Sequence, residues 1–284
     1  METSMRVFLA GASGMLGHSL VPALRAAGMD VVAHGNSKGM DVSGDLTDAA
    51  VAADLVAAAA PDVVVNLAAL TNVDRCEEVP DEAYHVNVKL VENLVAALEG
   101  RSGAHFVQIS TDQVYEGSGP FSEDDVHITN TYAFSKYAGE LAASKMPATI
   151  LRTNFFGRSQ LAGRPSFSDW LEKTLRAGTV FTGFTDVLFS PLGLDSLVAM
   201  ITRAVEVRRP GVFNLGSHGG LSKADFAIAL ADHLGLDAGC MARGSVADMS
   251  LMAYRPRDMR MNVSRFEQAF SVALPDLKDE IATL

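Results

Sequence analysis

The 284-residue sequence predicts an α/β fold: a Rossmann-type, doubly wound parallel sheet with a smaller, partly interleaved C-terminal domain. Three observations predict it. Short β-rich runs alternate with Ala- and Leu-rich segments of helical length, the rhythm of βαβ units and of a parallel sheet. The run Val63-Val64-Val65 is continuously apolar, as a strand covered on both faces is. The segment Gly11-Ala12-Ser13-Gly14-Met15-Leu16-Gly17 stands between the first strand and the first helix.

The elements follow in order. Met5–Ala10 reads as a buried strand and Met15–Ala27 as a helix, with Gly28 where a C-terminal capping glycine belongs. Asp30–His34 is a second strand, and Thr47–Ala60 a helix that ends before Pro61. Asp62–Leu67 is a strand, Pro80–Glu99 one long helix, His105–Ser110 a strand, Thr131–Ser144 a helix and Ala148–Thr153 a strand. After Phe155 the alternation weakens and Gly, Pro, Arg and Phe cluster, while Leu194–Val207 and Gly211–Leu215 read as a helix and strand returning to the sheet. The expected division is a dinucleotide-binding domain of residues 1–155 plus about 186–215, and a substrate-binding domain of 156–185 and 216–284.

Composition narrows the partners. At 48% hydrophobic residues the chain can bury a sizeable core. Its net charge of −11 opposes binding to nucleic acid. No apolar run approaches the roughly 20 residues of a membrane span, and Met1 to Arg6 lack the pattern of a signal peptide. Two cysteines, Cys76 and Cys240, make no disulfide framework. A cytoplasmic protein with no membrane or nucleic-acid partner is expected; the oligomeric state stays open, with a homodimer as one option.

The glycine segment has the spacing G-x-x-G-x-x-G. Gly11 permits a tight turn, Gly14 admits a pyrophosphate to the backbone, and Gly17 allows close helix–strand packing. Together with Ser13, Met15 and Leu16 they open a helix whose free N–H groups favour an anion. A structural glycine turn is the plainer alternative. The second strand ends in His34-Gly35-Asn36-Ser37-Lys38, without the carboxylate that binds an NAD ribose. Asn36, Ser37 and Lys38 suit a 2′-phosphate instead, so NADPH is favoured and NADH kept as the alternative. Asp45 is suited to the adenine amino group and Leu46 to its ring; a helix cap at Thr47 is the plainer reading.

Ser110 and Thr111 end a strand, and Tyr132 and Lys136 stand four apart on the next helix, hence on one face. A tyrosine beside an ammonium has its phenol acidified toward neutral pH, which fits it for proton transfer. Thr111 or Ser110 can hold a carbonyl oxygen. Alone, the Tyr-Lys spacing also fits an ordinary amphipathic helix; joined to the glycine loop it points to an NAD(P)-dependent oxidoreductase.

These segments, with Asn66-Leu67-Ala68-Ala69-Leu70-Thr71-Asn72-Val73-Asp74, Ser110-Thr111-Asp112-Gln113-Val114-Tyr115 and Leu151-Arg152-Thr153-Asn154, resemble the extended short-chain dehydrogenase/reductases. The likeness is greatest to the dTDP-4-dehydrorhamnose reductase branch and spans residues 5–157. The resemblance implies a nicotinamide cofactor and reduction of a 4-keto nucleotide sugar. It implies Gly14, Met15 and Leu16 at the pyrophosphate, Asp45 and Leu46 at the adenosine, and Ala68, Ala69 and Leu70 along the ribose and nicotinamide. It implies Thr111, Asp112 and Phe155 at the substrate, with Tyr132 and Lys136 in the proton chemistry. The family's D-Q-x-G-x-P-T segment appears here as Asp186-Val187-Leu188-Phe189-Ser190-Pro191-Leu192, which keeps only Asp and Pro.

The basic run Arg255-Pro256-Arg257-Asp258-Met259-Arg260 is the expected diphosphate site, centred on Arg257, unless it is a solvated loop. No metal-ligand spacing joins the seven histidines. An epimerase or dehydratase of the same fold is one rival, weakened because Gln113 rather than a carboxylate follows Asp112. A non-catalytic NADP-binding regulatory subunit is the other, opposed by the intact Thr111, Tyr132 and Lys136.

Overall fold

The computed structural model of the chain describes residues 4–36 and 39–284. Its first half runs β1 (Arg6–Ala10), α1 (Met15–Ala26), β2 (Asp30–His34), α2 (Ala49–Ala59), β3 (Val63–Asn66), α3 (Val73–Glu78) and α4 (Pro80–Tyr84). A π-helical turn at His85–Lys89 follows, then α5 (Leu90–Ala97), β4 (His105–Thr111), α6 (Thr131–Ala143) and β5 (Ala148–Thr153). The second half has β6 (Phe155–Phe156), α7 (Phe167–Arg176), β7 (Phe181–Phe184), β8 (Leu188–Phe189), β9 (Leu192–Gly193), α8 (Leu194–Val207) and β10 (Gly211–Leu215). It ends with β11 (Leu221–Ser222), α9 (Lys223–Leu234), β12 (Met241–Gly244), α10 (Ser264–Phe270) and α11 (Leu277–Ala282).

Six strands form one sheet in the order β10-β5-β4-β3-β1-β2. β1 pairs in parallel with both β2 and β3, and β3 in parallel with β4. The chain therefore leaves β1 on one side and returns on the other. In such a sheet the crevice between the carboxyl ends of the two strands flanking the reversal is where ligands bind. Beneath it, Phe8, Val64, Phe106, Val91, Leu94 and Ile150 form a core. All four residues of β3 are buried, as its apolar run requires.

Two expected helices differ in detail. The helix expected from Thr47 begins at Ala49, because Asp48 caps it by accepting from the Ala50 and Val51 amides. Thr47 instead gives its amide and hydroxyl to Asp45. The single helix expected over residues 80–99 is α4, the π-turn and α5, with the separate α3 before them. A π-turn adds a residue to the helical ladder and turns the following face, which hydrophobic periodicity does not register.

The chain divides into two compact units. The first comprises residues 4–36 and 39–111 of the described chain, with 130–151 and 198–212; the second comprises 112–129, 152–197 and 213–284. Residues 112–129, 152–155, 186–197 and 213–215, grouped by sequence pattern with the sheet, thus fall in the second unit. A buried polar network accounts for several of them. Tyr115 donates to Asn214 at 2.6 Å, and Arg152 donates to the Tyr115 hydroxyl at 2.9 Å and to the Glu123 carbonyl at 2.7 Å. Elsewhere in the second unit, Phe156, Phe189, Phe226, Leu230, Leu277 and Ile281 make an aromatic and aliphatic core. Among the described residues, no helix is long and apolar enough to cross a membrane.

Candidate active site

The first unit carries the whole expected cofactor constellation that the described residues contain; Ser37 and Lys38 lie outside them. Gly11 follows β1 at φ +81°, and a Cβ there would lie 2.6 Å from the Ala68 amide nitrogen. The turn after β1 and the loop after β3 therefore meet so closely that only glycine fits. Gly17 is as constrained: its Cβ would come within 2.5 Å of Ala12. Gly14 differs. A Cβ there meets only the Gly11 carbonyl, at an ordinary 3.4 Å. Among the described residues no atom excludes a side chain at Gly14, so the space beside this N-cap of α1 can admit a ligand. That is the fit expected of a pyrophosphate at a helix N-terminus.

The loop after β3 is pinned at both ends. Asn66, fully buried, accepts from the Ala68 amide at 3.1 Å and donates to Gln108 at 2.9 Å. Asn87 accepts from the Leu70 amide at 2.8 Å, and its own amide donates to Ser135 on α6 at 2.9 Å. One buried side chain from the π-turn thus ties the loop carrying Ala68, Ala69 and Leu70 to the helix carrying Tyr132 and Lys136. Sequence reasoning missed Asn87, because its orientation depends on the π-turn.

Asn130 caps α6, accepting from the Ala133 amide at 2.7 Å. Tyr132 and Lys136, one turn apart, are 7% and 4% exposed. The Tyr132 ring packs with Cys76 and Ala83, with Leu70 and Val73 beside them. Lys136 donates to the Ile109 carbonyl at 2.7 Å, which ties α6 to the end of β4. Burial pulls the Lys136 pKa down to about 8, and Glu140 opposes that pull. Glu140 also accepts from the Ser110 hydroxyl, a role for which the sequence held no signal. Thr111, the last residue of β4, is buried in the same stretch.

Other sequence readings gain detail here. Leu46 is 2% exposed and packs in the core; Asp45 is exposed, with its carboxylate accepting from the Thr47 amide and hydroxyl. Cys76 is buried and its pKa rises to about 11, chiefly through burial, which suits a packed thiol. The three arginines of the basic run do not converge. Arg260 pairs with Asp258 at 2.6 Å, and Arg257 is exposed with its amide on Glu116.

The second unit contains a cavity of about 720 Å³. Its wall is aromatic at Phe167, Trp170, Phe181 and Phe184, and polar at Gln113, Asn154, Lys223 and Arg255. Arg255, Pro256 and Met259 line it, whereas Arg257 does not and is exposed. Asp112 accepts from the Asn154 amide at 2.8 Å. Phe155 lies in β6, half-buried, paired with Leu192.

Residues 5–284 match the family model described as the RmlD substrate binding domain. The chain is 30% identical to the probable low-salt glycan biosynthesis reductase Agl14 of Haloferax volcanii, over 99% of this chain and 97% of that protein. It is 28% identical to the dTDP-4-dehydrorhamnose reductase of Escherichia coli, over 96% of this chain and 94% of that one. The crystal structure of the dTDP-4-dehydrorhamnose reductase of Bacillus anthracis in complex with NADP is alike in fold. Its TM-score is 0.87 at 23% identity, covering 99% of this chain and 98% of that one.

Proposed function

The chain belongs to the RmlD substrate-binding-domain family, and from that premise we propose that it is an NAD(P)H-dependent reductase of a 4-keto nucleotide sugar. The observation that carries this reading is the junction of α6 with β4. Tyr132 and Lys136 are buried on one helical face, and the Lys136 ammonium is anchored on Ile109, two residues before Thr111. The first unit is then the dinucleotide-binding part, with Gly11, Gly14 and Gly17 shaping the pyrophosphate site. The second is the substrate-binding part, with Asp112, Phe155 and Arg255 in contact with the sugar nucleotide. NADPH is the favoured cofactor and NADH the alternative.

When bound, the nicotinamide supplies a hydride to the keto carbon. The rest falls to the chain's own groups. Thr111 holds the keto oxygen by its hydroxyl. Tyr132 gives that oxygen a proton as negative charge develops on it. Lys136, cationic below about pH 8, stabilises the tyrosinate left behind. The packing of Tyr132 against Cys76 and Ala83 fixes the phenol before substrate arrives.

The same reading expects a cytoplasmic enzyme without a nucleic-acid or membrane partner, acting alone or as a homodimer. An epimerase or dehydratase gains no support, because the residue after Asp112 that lines the cavity is the amide Gln113. The deciding experiment is a panel of 4-keto nucleotide sugars assayed for oxidation of NADPH and of NADH. Oxidation with at least one 4-keto sugar is expected; none with any member, by either cofactor, would remove the reading.

A further inference from the structure

Two adjacent residues near the end of β4 meet two side chains of α6, all within the first unit. The Lys136 ammonium donates to the Ile109 carbonyl at 2.7 Å, and the Ser110 hydroxyl donates to the Glu140 carboxylate. Tyr132, Lys136 and Glu140 follow at intervals of four along α6, so one face of the helix carries all three. Ser110, Lys136 and Glu140 are each buried, Glu140 most deeply at 2% exposed. A carboxylate so placed has lost its water, and a single serine proton replaces little of it; buried charges are kept by an opposite charge at hand. Burial lowers the Lys136 pKa to about 8, and the charge of Glu140 opposes that fall. Other charges on the elements packed against α6 are engaged elsewhere. Glu77 of α3 accepts from Thr131, Arg75 pairs with Glu82 of α4, Lys89 of the π-turn pairs with Glu92 of α5, and His105 of β4 bonds Thr149. Among the described residues none of these acts on Lys136.

We propose that Glu140 is a positioning residue of the candidate active site: seated by Ser110, its carboxylate is the counter-charge that keeps Lys136 an ammonium one turn from Tyr132. This rests on the reductase reading, in which that ammonium stabilises the tyrosinate left by proton transfer. Glu140 acts through Lys136 and not on the substrate. The functional pattern on α6 is then Y-x-x-x-K-x-x-x-E, one member to each successive turn. An uncharged residue of the same shape would fill the space and keep the Ser110 bond, yet it would leave the burial of Lys136 unopposed. An opposite charge favours the cation, so its removal makes the lysine release its proton at lower pH. Tyr132 would then lose its cation over a range in which the wild type keeps it.

The test compares the wild type with Glu140→Gln, which keeps the shape and an oxygen for the Ser110 hydroxyl. One reading is kcat/KM against pH, from NADPH oxidation with a 4-keto nucleotide sugar that the wild type reduces. The other needs no turnover: the pH titration of the Lys136 13Cε signal in lysine-labelled protein, assigned by its absence from Lys136→Met. In Glu140→Gln both the alkaline limb and the titration should move down by about one pH unit or more. The deficit in rate should widen above about pH 7 and close toward about pH 6, whereas damage to packing alone lowers the rate alike at every pH. Glu140→Met, equally uncharged and without an amide to satisfy, gives the same two readings should Glu140→Gln fail to fold. An unmoved Lys136 signal overturns the proposal and leaves the reductase reading intact. A signal that moves while the limb stays in place overturns it as well, because the charge on Lys136 would then not govern turnover. If the signal moves but the wild type reduces no 4-keto sugar, the pairing of Glu140 with Lys136 stands and the reductase reading falls.

Discussion

Tyr132 offers the sharpest single-atom experiment, because its ring is held by Cys76 and Ala83 and so keeps its place when the hydroxyl is removed. Tyr132→Phe is expected to lower kcat by roughly 10²–10⁴-fold, the scale of a lost general acid, and to leave cofactor affinity nearly unchanged. Near-normal turnover on the true substrate would end the assignment. Lys136 is expected to set the pH range. Its pKa of about 8 means that the cation is lost above that pH, so kcat/KM should decline on an alkaline limb centred there, seen in a pH–rate profile. Its effect on stability has the other sign. In the unfolded chain the lysine keeps its proton up to about its ordinary value of 10.5, so between 8 and 10.5 the unfolded state binds more protons and this residue's contribution to stability rises with pH. A limb at the same pH in Lys136→Met would assign it to another group. The arginines make the third case. Arg255→Ala should raise KM for the nucleotide sugar by roughly tenfold, the loss of a charged hydrogen bond, whereas Arg257→Ala should change it less than about twofold. Steady-state kinetics with the sugar varied decides between them, and the reverse order would restore the sequence-based choice of Arg257.

At the scale of elements, α6 and the π-turn form the frame on which the candidate site depends. They approach so closely that a Cβ on Gly139 would stand 2.4 Å from the Asn87 carbonyl oxygen. Gly139→Ala sets two effects against each other. Helix propensity favours alanine by roughly 1 kcal/mol, while a clash with backbone costs about 1–3 kcal/mol because neither helix can turn the offending atom aside. The clash should win: the denaturation midpoint should fall at unchanged slope, and activity should fall with it as Asn87 loses its grip on Leu70 and Ser135. A more stable variant would show that the two helices yield easily. The same frame marks the limit of what the sequence discloses. Tyr132, Lys136 and the glycine loop are legible because their spacing maps directly onto a turn of helix or a strand end. Asn87 and Glu140 are not, because each acts through a partner distant in sequence.

For the molecule as a whole, the sheet was readable almost residue by residue. β2 and β5 occupy the expected ranges, because continuous apolar runs bounded by turns have few alternatives. The allocation of segments to units was less readable. Residues 112–129 follow a strand of the first unit and look like a mere loop, yet Tyr115 and Glu123 belong to the buried network with Arg152 and Asn214. Such a network leaves no periodic trace, since each member contributes a single polar side chain from a separate stretch of chain. The pieces of Asp186–Leu192 explain themselves in the same way: Asp186 accepts from the Ser245 hydroxyl and the Val246 amide, a purpose that no neighbouring residue announces.

The interleaving of the two units also governs how the molecule must be made. β5 lies between β4 and β10 in the sheet, and β10 begins only at Gly211. A ribosome therefore releases β5 long before its outer neighbour exists, and the growing chain carries an open strand edge through the synthesis of some 60 residues between Thr153 and Gly211. At typical elongation rates that interval is on the order of 3–12 seconds, ample time for association with another nascent chain. Fragments that stop short of β10 should accordingly aggregate where the full chain does not, and neither unit can be cut out as one continuous gene segment. Exchanging the substrate-binding part between relatives would mean splicing three separate stretches at once, so this architecture favours change by point substitution within the cavity wall over change by recombination.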